Sequence, residues 1–176
     1  MKNNTSKITF CAMMAALATV VMLLAYFPYL TYALPAISGL FIMLTVIETD
    51  CKWAVITYLC SAVLVFLFCE IESKLMYIGL LGYYPILKSV IERIKKPIIE
   101  WILKLAVYSS SILIIYFILT RLTDISVNDM GVYIKYGSFI LFFAGMLVFI
   151  LYDYCISRMA AMYLTSYHNK IGKYFK

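Results

Sequence analysis

The sequence predicts an all-α integral membrane protein, a compact bundle of about six transmembrane helices forming a single domain over residues 1–176. Hydrophobic residues make up 65% of the 176 residues, charged residues make up 14%, and the mean hydropathy is +0.94. A soluble domain of this length could not hide so much apolar surface in one core. The apolar residues also form long continuous runs, whereas the strands of a membrane barrel would alternate apolar and polar residues.

Six apolar runs are each near the length that crosses about 30 Å of hydrocarbon. They predict spans at residues 8–26, 33–49, 53–70, 75–91, 99–120 and 134–157. The first run follows two lysines, as in a signal peptide, but its length and the spans after it favour a permanent helix. The fourth run is interrupted by Gly79, Gly82 and Pro85, which predicts a kinked or steeply tilted crossing.

The distribution of lysine and arginine predicts the orientation, because these residues are enriched in cytoplasmic loops. With the N-terminus in the cytoplasm, eleven basic residues fall inside, three fall outside (Lys74, Arg121 and Lys135), and Lys104 lies within a span. The inner set is Lys2, Lys7, Lys52, Lys88, Arg93, Lys95, Lys96, Arg158, Lys170, Lys173 and Lys176. The protein is therefore expected in the cell membrane with both termini cytoplasmic. The net charge of +6 follows from this topology and indicates contact with lipid headgroups, not nucleic acid.

Neither a metal nor an organic cofactor is expected. The five cysteines are scattered without a CxxC pair, and the single histidine is His168 in the tail. The sequence has no phosphate-binding glycine loop, no HExxH, no GxSxG and no dense aspartate cluster within a span. These absences predict that the chain is not an enzyme.

Tyrosines and acidic residues gather at the predicted outer ends of the spans. One interpretation is a pocket for a small solute, and the other is the interfacial tyrosine belt and solvated helix ends found in most membrane proteins. The candidate substrate-binding residues are Tyr29, Tyr32, Glu70, Glu72, Tyr77 and Tyr133.

Charged residues inside the spans predict a second site near the cytoplasmic side. Intramembrane charges are costly, so a functional or structural role is the default hypothesis. Lys104 has three alternatives. It lies at the depth of Asp153 and could pair with it, it lies four residues after Glu100 on its own helix, and its long side chain could also extend to the membrane interface. The predicted polar cluster consists of Glu48, Lys88, Lys104 and Asp153.

The segment from Gly79 to Lys88 is the most distinctive part of the chain. Pro85 lacks an N–H group, so it leaves the carbonyl four residues earlier without its helical donor. In a membrane, such a break creates a binding notch where it lines a cavity. A plain kink is the alternative.

Ala12 and Ala16 form an AxxxA pattern in the first predicted helix. Small residues four apart lie on one helix face and allow another helix to approach closely. The pattern predicts either packing inside the bundle or docking of a partner subunit.

These features resemble the substrate-binding S components of energy-coupling factor transporters, which are short six-helix proteins with both ends in the cytoplasm. The local likeness lies in residues 7–18, where Ala12 and Ala16 match an AxxxA motif that contacts the coupling transmembrane subunit in that family. The turn between Pro28 and Pro35 resembles the family's outer gate loop. The resemblance implies capture of a micronutrient, such as a vitamin, from outside. It also implies inward release driven by a coupling transmembrane subunit and an ATPase pair.

Two other functions remain open at this stage. A non-transporting scaffold of the cell envelope, similar to the rod-shape protein MreD, would have the same size and number of spans. A membrane-embedded enzyme acting on a lipid ranks last, because no set of convergent acidic residues lies within the spans. A cavity lined by the outer turns and by the fourth to sixth helices would favour solute capture over a scaffold.

Overall fold

The computed structural model describes the backbone of residues 4–27, 30–94, 96–122 and 131–166, and the side chains of these residues except 116, 119–122 and 131–141. Within these ranges the fold is all-α, as predicted, and the chain forms six helical segments. They are α1 (Asn4–Leu23, continued by a 3-10 turn at Leu24–Tyr26), α2 (Ala33–Glu48), α3 (Cys51–Phe68), a broken segment of α4 (Ile71–Met76) and α5 (Tyr84–Ile91), α6 (Pro97–Leu122) and α7 (Gly131–Ser166).

Four of the described helices are long and apolar enough to cross a membrane, at Asn4–Tyr26, Cys51–Phe68, Pro97–Ile115 and Phe142–Thr165. They expose large apolar side chains that only a lipid solvent tolerates. For example, Phe66 is 61% exposed, Leu67 is 67% exposed and Ile98 is 75% exposed. The chain is therefore a multi-pass membrane protein.

Small residues allow α1 and α2 to pack closely. Ala15, Ala18 and Gly39 are buried, and the Ser38 hydroxyl donates a 3.0 Å hydrogen bond to the carbonyl of Ala18. Contacts of this kind replace the hydrophobic driving force that is missing between helices in lipid.

The fourth predicted span, 75–91, is divided in the structure. α4 ends at Met76, Tyr77–Leu81 form a turn of π-helix, and α5 begins at Tyr84 with Pro85 in its first turn. The N–H of Gly82 bonds to the carbonyl of Tyr77 at 2.8 Å, five residues back, which widens the helix locally. The glycines and proline of this segment thus produce a break in the helix.

The last helix is longer than predicted. α7 has 36 residues, about 54 Å at 1.5 Å per residue, against the predicted span 134–157. Near its C-terminal end, the hydroxyl of Tyr163 donates a 2.7 Å hydrogen bond to Glu48 at the end of α2. The main core lies between α2, the π turn, α6 and α7, and it includes Tyr84, Tyr108 and Tyr152.

Candidate functional site

A cavity of about 120 Å³ lies between α2, the π turn, α6 and α7. Its walls come from the start of α2 and the residue before it, from the end of α4 and the π turn, and from the middle of α6 and α7. The lining residues are Tyr32, Ala36, Met76, Leu80, Leu81, Tyr108, Ile112, Gly145, Val148, Phe149 and Tyr152.

The helix break after α4 shapes one wall of this cavity. Pro85 has no N–H to offer to the carbonyl of Leu81, and the hydroxyl of Tyr152 on α7 donates to that carbonyl instead, at 3.0 Å. Leu80 and Leu81 both line the cavity. The freed carbonyl is thus satisfied from another helix, and the break lines a cavity, as the first of the two sequence interpretations requires.

Two glycines bring tyrosine hydroxyls close to neighbouring helices. A Cβ on Gly39 of α2 would meet the carbonyl oxygen of Leu81 at 2.6 Å and would also contact the Tyr152 hydroxyl. A Cβ on Gly145 of α7 would contact the hydroxyl of Tyr108, which donates a 3.2 Å hydrogen bond to the carbonyl of Phe142. Both tyrosines line the cavity, so its outline depends on these close approaches.

The rim of the cavity is accessible from outside the bundle. Tyr32 is 60% exposed and Val148 is 63% exposed, whereas Leu80, Tyr108 and Phe149 deeper in the cavity are buried. The hydroxyl of Tyr32 donates a long, 3.5 Å hydrogen bond to Glu72. Partial burial and this carboxylate raise the pKa of the Tyr32 phenol, which therefore stays neutral at physiological pH.

A buried charged cluster joins α5, α6 and α7 next to this cavity. Lys88 forms an ion pair with Asp153 and donates a 2.6 Å hydrogen bond to the hydroxyl of Ser157. Lys104 lies 3.0 Å from the other carboxylate oxygen of Asp153. Lys88, Lys104 and Asp153 are each at most 7% exposed, and the half-exposed Glu92 approaches both lysines at 3.5 and 3.4 Å.

Tyr84 connects the charged cluster to the cavity. Its hydroxyl donates a 2.5 Å hydrogen bond to Asp153, and its ring packs edge-on against Phe149 with the ring centroids 4.7 Å apart. The same ring lies 5.9 Å from that of Tyr152. The aromatic wall of the cavity therefore rests on a side chain that is fixed by the buried carboxylate.

The structure brings together three members of the predicted polar cluster, Lys88, Lys104 and Asp153. The fourth, Glu48, accepts its described hydrogen bond from Tyr163. The sequence interpretation omitted Tyr84 and Glu92, because helix neighbours are not visible in a linear sequence. Lys104 bonds to Asp153 and Glu92, so among its predicted alternatives the structure favours the pair with Asp153.

The candidate substrate-binding residues lie in different places. Tyr32 lines the cavity, Glu70 and Glu72 are exposed, and Tyr77 is fully buried with its hydroxyl 2.7 Å from that of Ser61. Tyr29 and the side chain of Tyr133 lie outside the described residues. The other residues that line the cavity were not predicted from the sequence. One of them, Leu81, has a signal in the sequence, because Pro85 frees its carbonyl and a freed carbonyl needs a donor in lipid.

Ala12 and Ala16 are both exposed on α1. Ala15 and Ala18, one helix face away, are the alanines buried within the bundle, at 5% and 0% exposed. Ala12 also lines a shallow apolar groove of about 140 Å³ between α1 and α3. Within the described part of the chain, the AxxxA face is therefore not buried by packing against another helix.

A comparison of the chain with protein-family models, with curated proteins and with solved structures found no match. The fold and the cavity therefore define the class of the molecule by themselves. It is an all-helical, multi-pass membrane protein.

Proposed function

We propose that this chain is the substrate-capture subunit of a membrane transporter, resembling the S components of energy-coupling factor transporters. In this proposal it binds a small micronutrient from outside, and a separate ATPase module drives release inward. The observation that carries the proposal is the cavity between α2, the π turn, α6 and α7, with Tyr32 at its rim. A capture subunit needs such a concave, largely apolar site, whereas a scaffold needs only a filled interior.

The contacts at the two ends of the bundle support the predicted assignment of segments to the same side of the membrane. Lys7, before the first predicted span, pairs with Asp50 in the turn between α2 and α3 at 2.8 Å, and both belong to the predicted cytoplasmic end. At the other end, Tyr32 reaches Glu72, and Tyr26 donates a 2.6 Å hydrogen bond to the carbonyl of Phe68. With both termini cytoplasmic, the Tyr32 rim of the cavity is at the outer side of the membrane.

The exposed AxxxA face supports a partner. Ala12 and Ala16 present a flat surface to lipid, which suits close approach of a helix from a coupling transmembrane subunit. The sequence contains no nucleotide-binding loop, so the ATPase pair must be supplied by other chains. The chain itself has no proposed catalytic role.

Filling the cavity tests the proposal directly. The protein is purified in detergent, and the small molecules that co-purify with it are identified by native mass spectrometry. We expect a bound solute in the wild type that is lost in Ala36→Phe, because Ala36 lines the cavity. The matched control is Ala144→Phe, which places the same ring on the exposed face of α7 and is expected to retain the solute.

An empty wild-type protein, or a solute that survives Ala36→Phe, would contradict solute capture. A scaffold of the cell envelope is the second candidate, because the exposed Ala12 and Ala16 face would serve it equally well. Under that alternative, Ala36→Phe leaves partner binding and growth unchanged, while bulky residues at Ala12 and Ala16 abolish both.

A further inference from the structure

The cavity has the size of one small ring. Its volume of about 120 Å³ is slightly less than that of an engineered apolar cavity of about 150 Å³ that holds benzene. A compound with two fused rings that lay wholly inside the cavity would have to displace the buried side chains of Leu80, Tyr108 or Phe149. Protein interiors resist such overpacking.

The walls favour a flat aromatic compound. Three aromatic rings line the buried part of the cavity, and those of Tyr108 and Phe149 lie 5.0 Å apart at an angle of 31°. Aromatic pairs of this kind gain energy beyond the area that they bury, through offset-stacked or edge-on contacts. Met76 adds a polarizable thioether, which also makes favourable contacts with rings.

The electrostatics of the buried part of the cavity exclude a charged group there, whereas Glu72 bonds to Tyr32 at the exposed rim. None of the described residues that line the cavity carries a charge. Nearby, Lys88 and Lys104 both form ion pairs with Asp153. A carboxylate or an ammonium group inside the cavity would lose its hydration without gaining a counter-ion.

The polar atoms of the two buried tyrosines are used within the protein. The hydroxyls of Tyr108 and Tyr152 donate their protons to the carbonyls of Phe142 and Leu81, and they lie against Gly145 and Gly39. The surface that a ligand would contact is therefore almost entirely apolar. Such a surface binds through buried apolar area and ring contacts.

We infer that this cavity binds an uncharged, single-ring aromatic solute. The inference rests on the proposed capture function and specifies the substrate class of the same site.

A matched set of probes tests the size and the charge separately. Phenol, benzyl alcohol and anisole are uncharged single rings. Benzoate and benzylamine add a charge, and 2-naphthol adds a second ring. Binding is measured by ligand-observed NMR on the full chain in detergent, with Ala36→Phe as the blocked variant and Ala144→Phe as the control in the same micelle.

We expect phenol, benzyl alcohol and anisole to bind wild type and Ala144→Phe, and binding to fall at least tenfold in Ala36→Phe. The charged probes and 2-naphthol should bind at least tenfold more weakly. Preferred binding of benzoate, benzylamine or 2-naphthol that is blocked by Ala36→Phe would overturn the substrate class and leave solute capture standing. Probe binding that is equal in wild type and Ala36→Phe would overturn both.

Discussion

The hydroxyl of Tyr152 on α7 donates a 3.0 Å hydrogen bond to the carbonyl of Leu81, the group that Pro85 leaves without a helical donor. This bond joins the longest helix to the break in the fourth helical segment. Both residues line the cavity, so the same contact satisfies the backbone and fixes the shape of the candidate site. In lipid no water is available to replace it.

Tyr152→Phe should lower the free energy of unfolding by about 1 kcal/mol, because it leaves the Leu81 carbonyl unsatisfied. The measurement is unfolding in detergent micelles, with Tyr154→Phe on the exposed face of α7 as the control. Pro85→Ala supplies an N–H at position 85 that is able to bond to Leu81. In that background the cost of Tyr152→Phe should shrink, and an undiminished cost would contradict this account.

Asp153→Asn should be the most damaging single change in the charged cluster. It leaves Lys88 and Lys104 buried together without their shared carboxylate, at a cost of about 3–5 kcal/mol. Lys104→Met should cost less, because the pair between Lys88 and Asp153 remains. Equal losses of stability in the two variants, measured by thermal unfolding, would show that the cluster does not act as a charge-balanced unit.

Gly39→Ala should destabilise the bundle more than Gly145→Ala. The new Cβ at position 39 would meet the backbone carbonyl of Leu81, which the π turn holds in place, and overpacking of this kind costs about 1–3 kcal/mol. At position 145 the obstacle is the hydroxyl end of the Tyr108 side chain, which is able to move. The order of the two melting temperatures checks the prediction, and a reversed order would refute it.

The ion pair between Lys7 and Asp50 should make a small, pH-dependent contribution to stability. The hydrogen bond and charge of Lys7 hold the pKa of Asp50 below its ordinary value of 3.8. A carboxyl with a lowered folded-state pKa stabilises the fold at pH values above its unfolded pKa, and this stabilisation is lost as the pH falls through the folded pKa.

Asp50→Asn should therefore lower the melting temperature near neutral pH and have no effect in strong acid. Because Asp50 is exposed, about 1 M salt should also reduce the difference between variant and wild type. A difference that persists in acid would assign the effect to something other than this ion pair.

Ala12→Leu combined with Ala16→Leu should abolish co-purification with a co-expressed coupling subunit and ATPase pair. Both alanines are exposed, so the free energy of unfolding of the isolated chain should stay within about 1 kcal/mol of the wild-type value. The control is Ala144→Leu, on an exposed face of α7. Unchanged complex formation in the double variant would contradict the proposed docking face.

The sequence alone determined the lipid solvent, the all-helical fold and the position of the helix break. Continuous apolar runs are compatible only with helices in a membrane, and the chemistry of Pro85 dictates that the carbonyl of Leu81 must find another donor. The cost of buried charge also marked Lys88, Lys104 and Asp153 as residues with a role. Each of these conclusions depends on local chemistry and on the solvent, which the order of residues specifies.

Only the tertiary structure decided which helices meet. The donor to Leu81 comes from Tyr152, 71 positions away, and the partner that fixes Tyr84 is Asp153, 69 positions away. The sequence position of Tyr77 groups it with the outer tyrosines, but its side chain is buried and contacts Ser61. Ala12 and Ala16, in contrast, are exposed on the surface of the bundle. In lipid every apolar helix face tolerates exposure, so the apolar pattern does not reveal which face is inside, and packing between helices makes that choice.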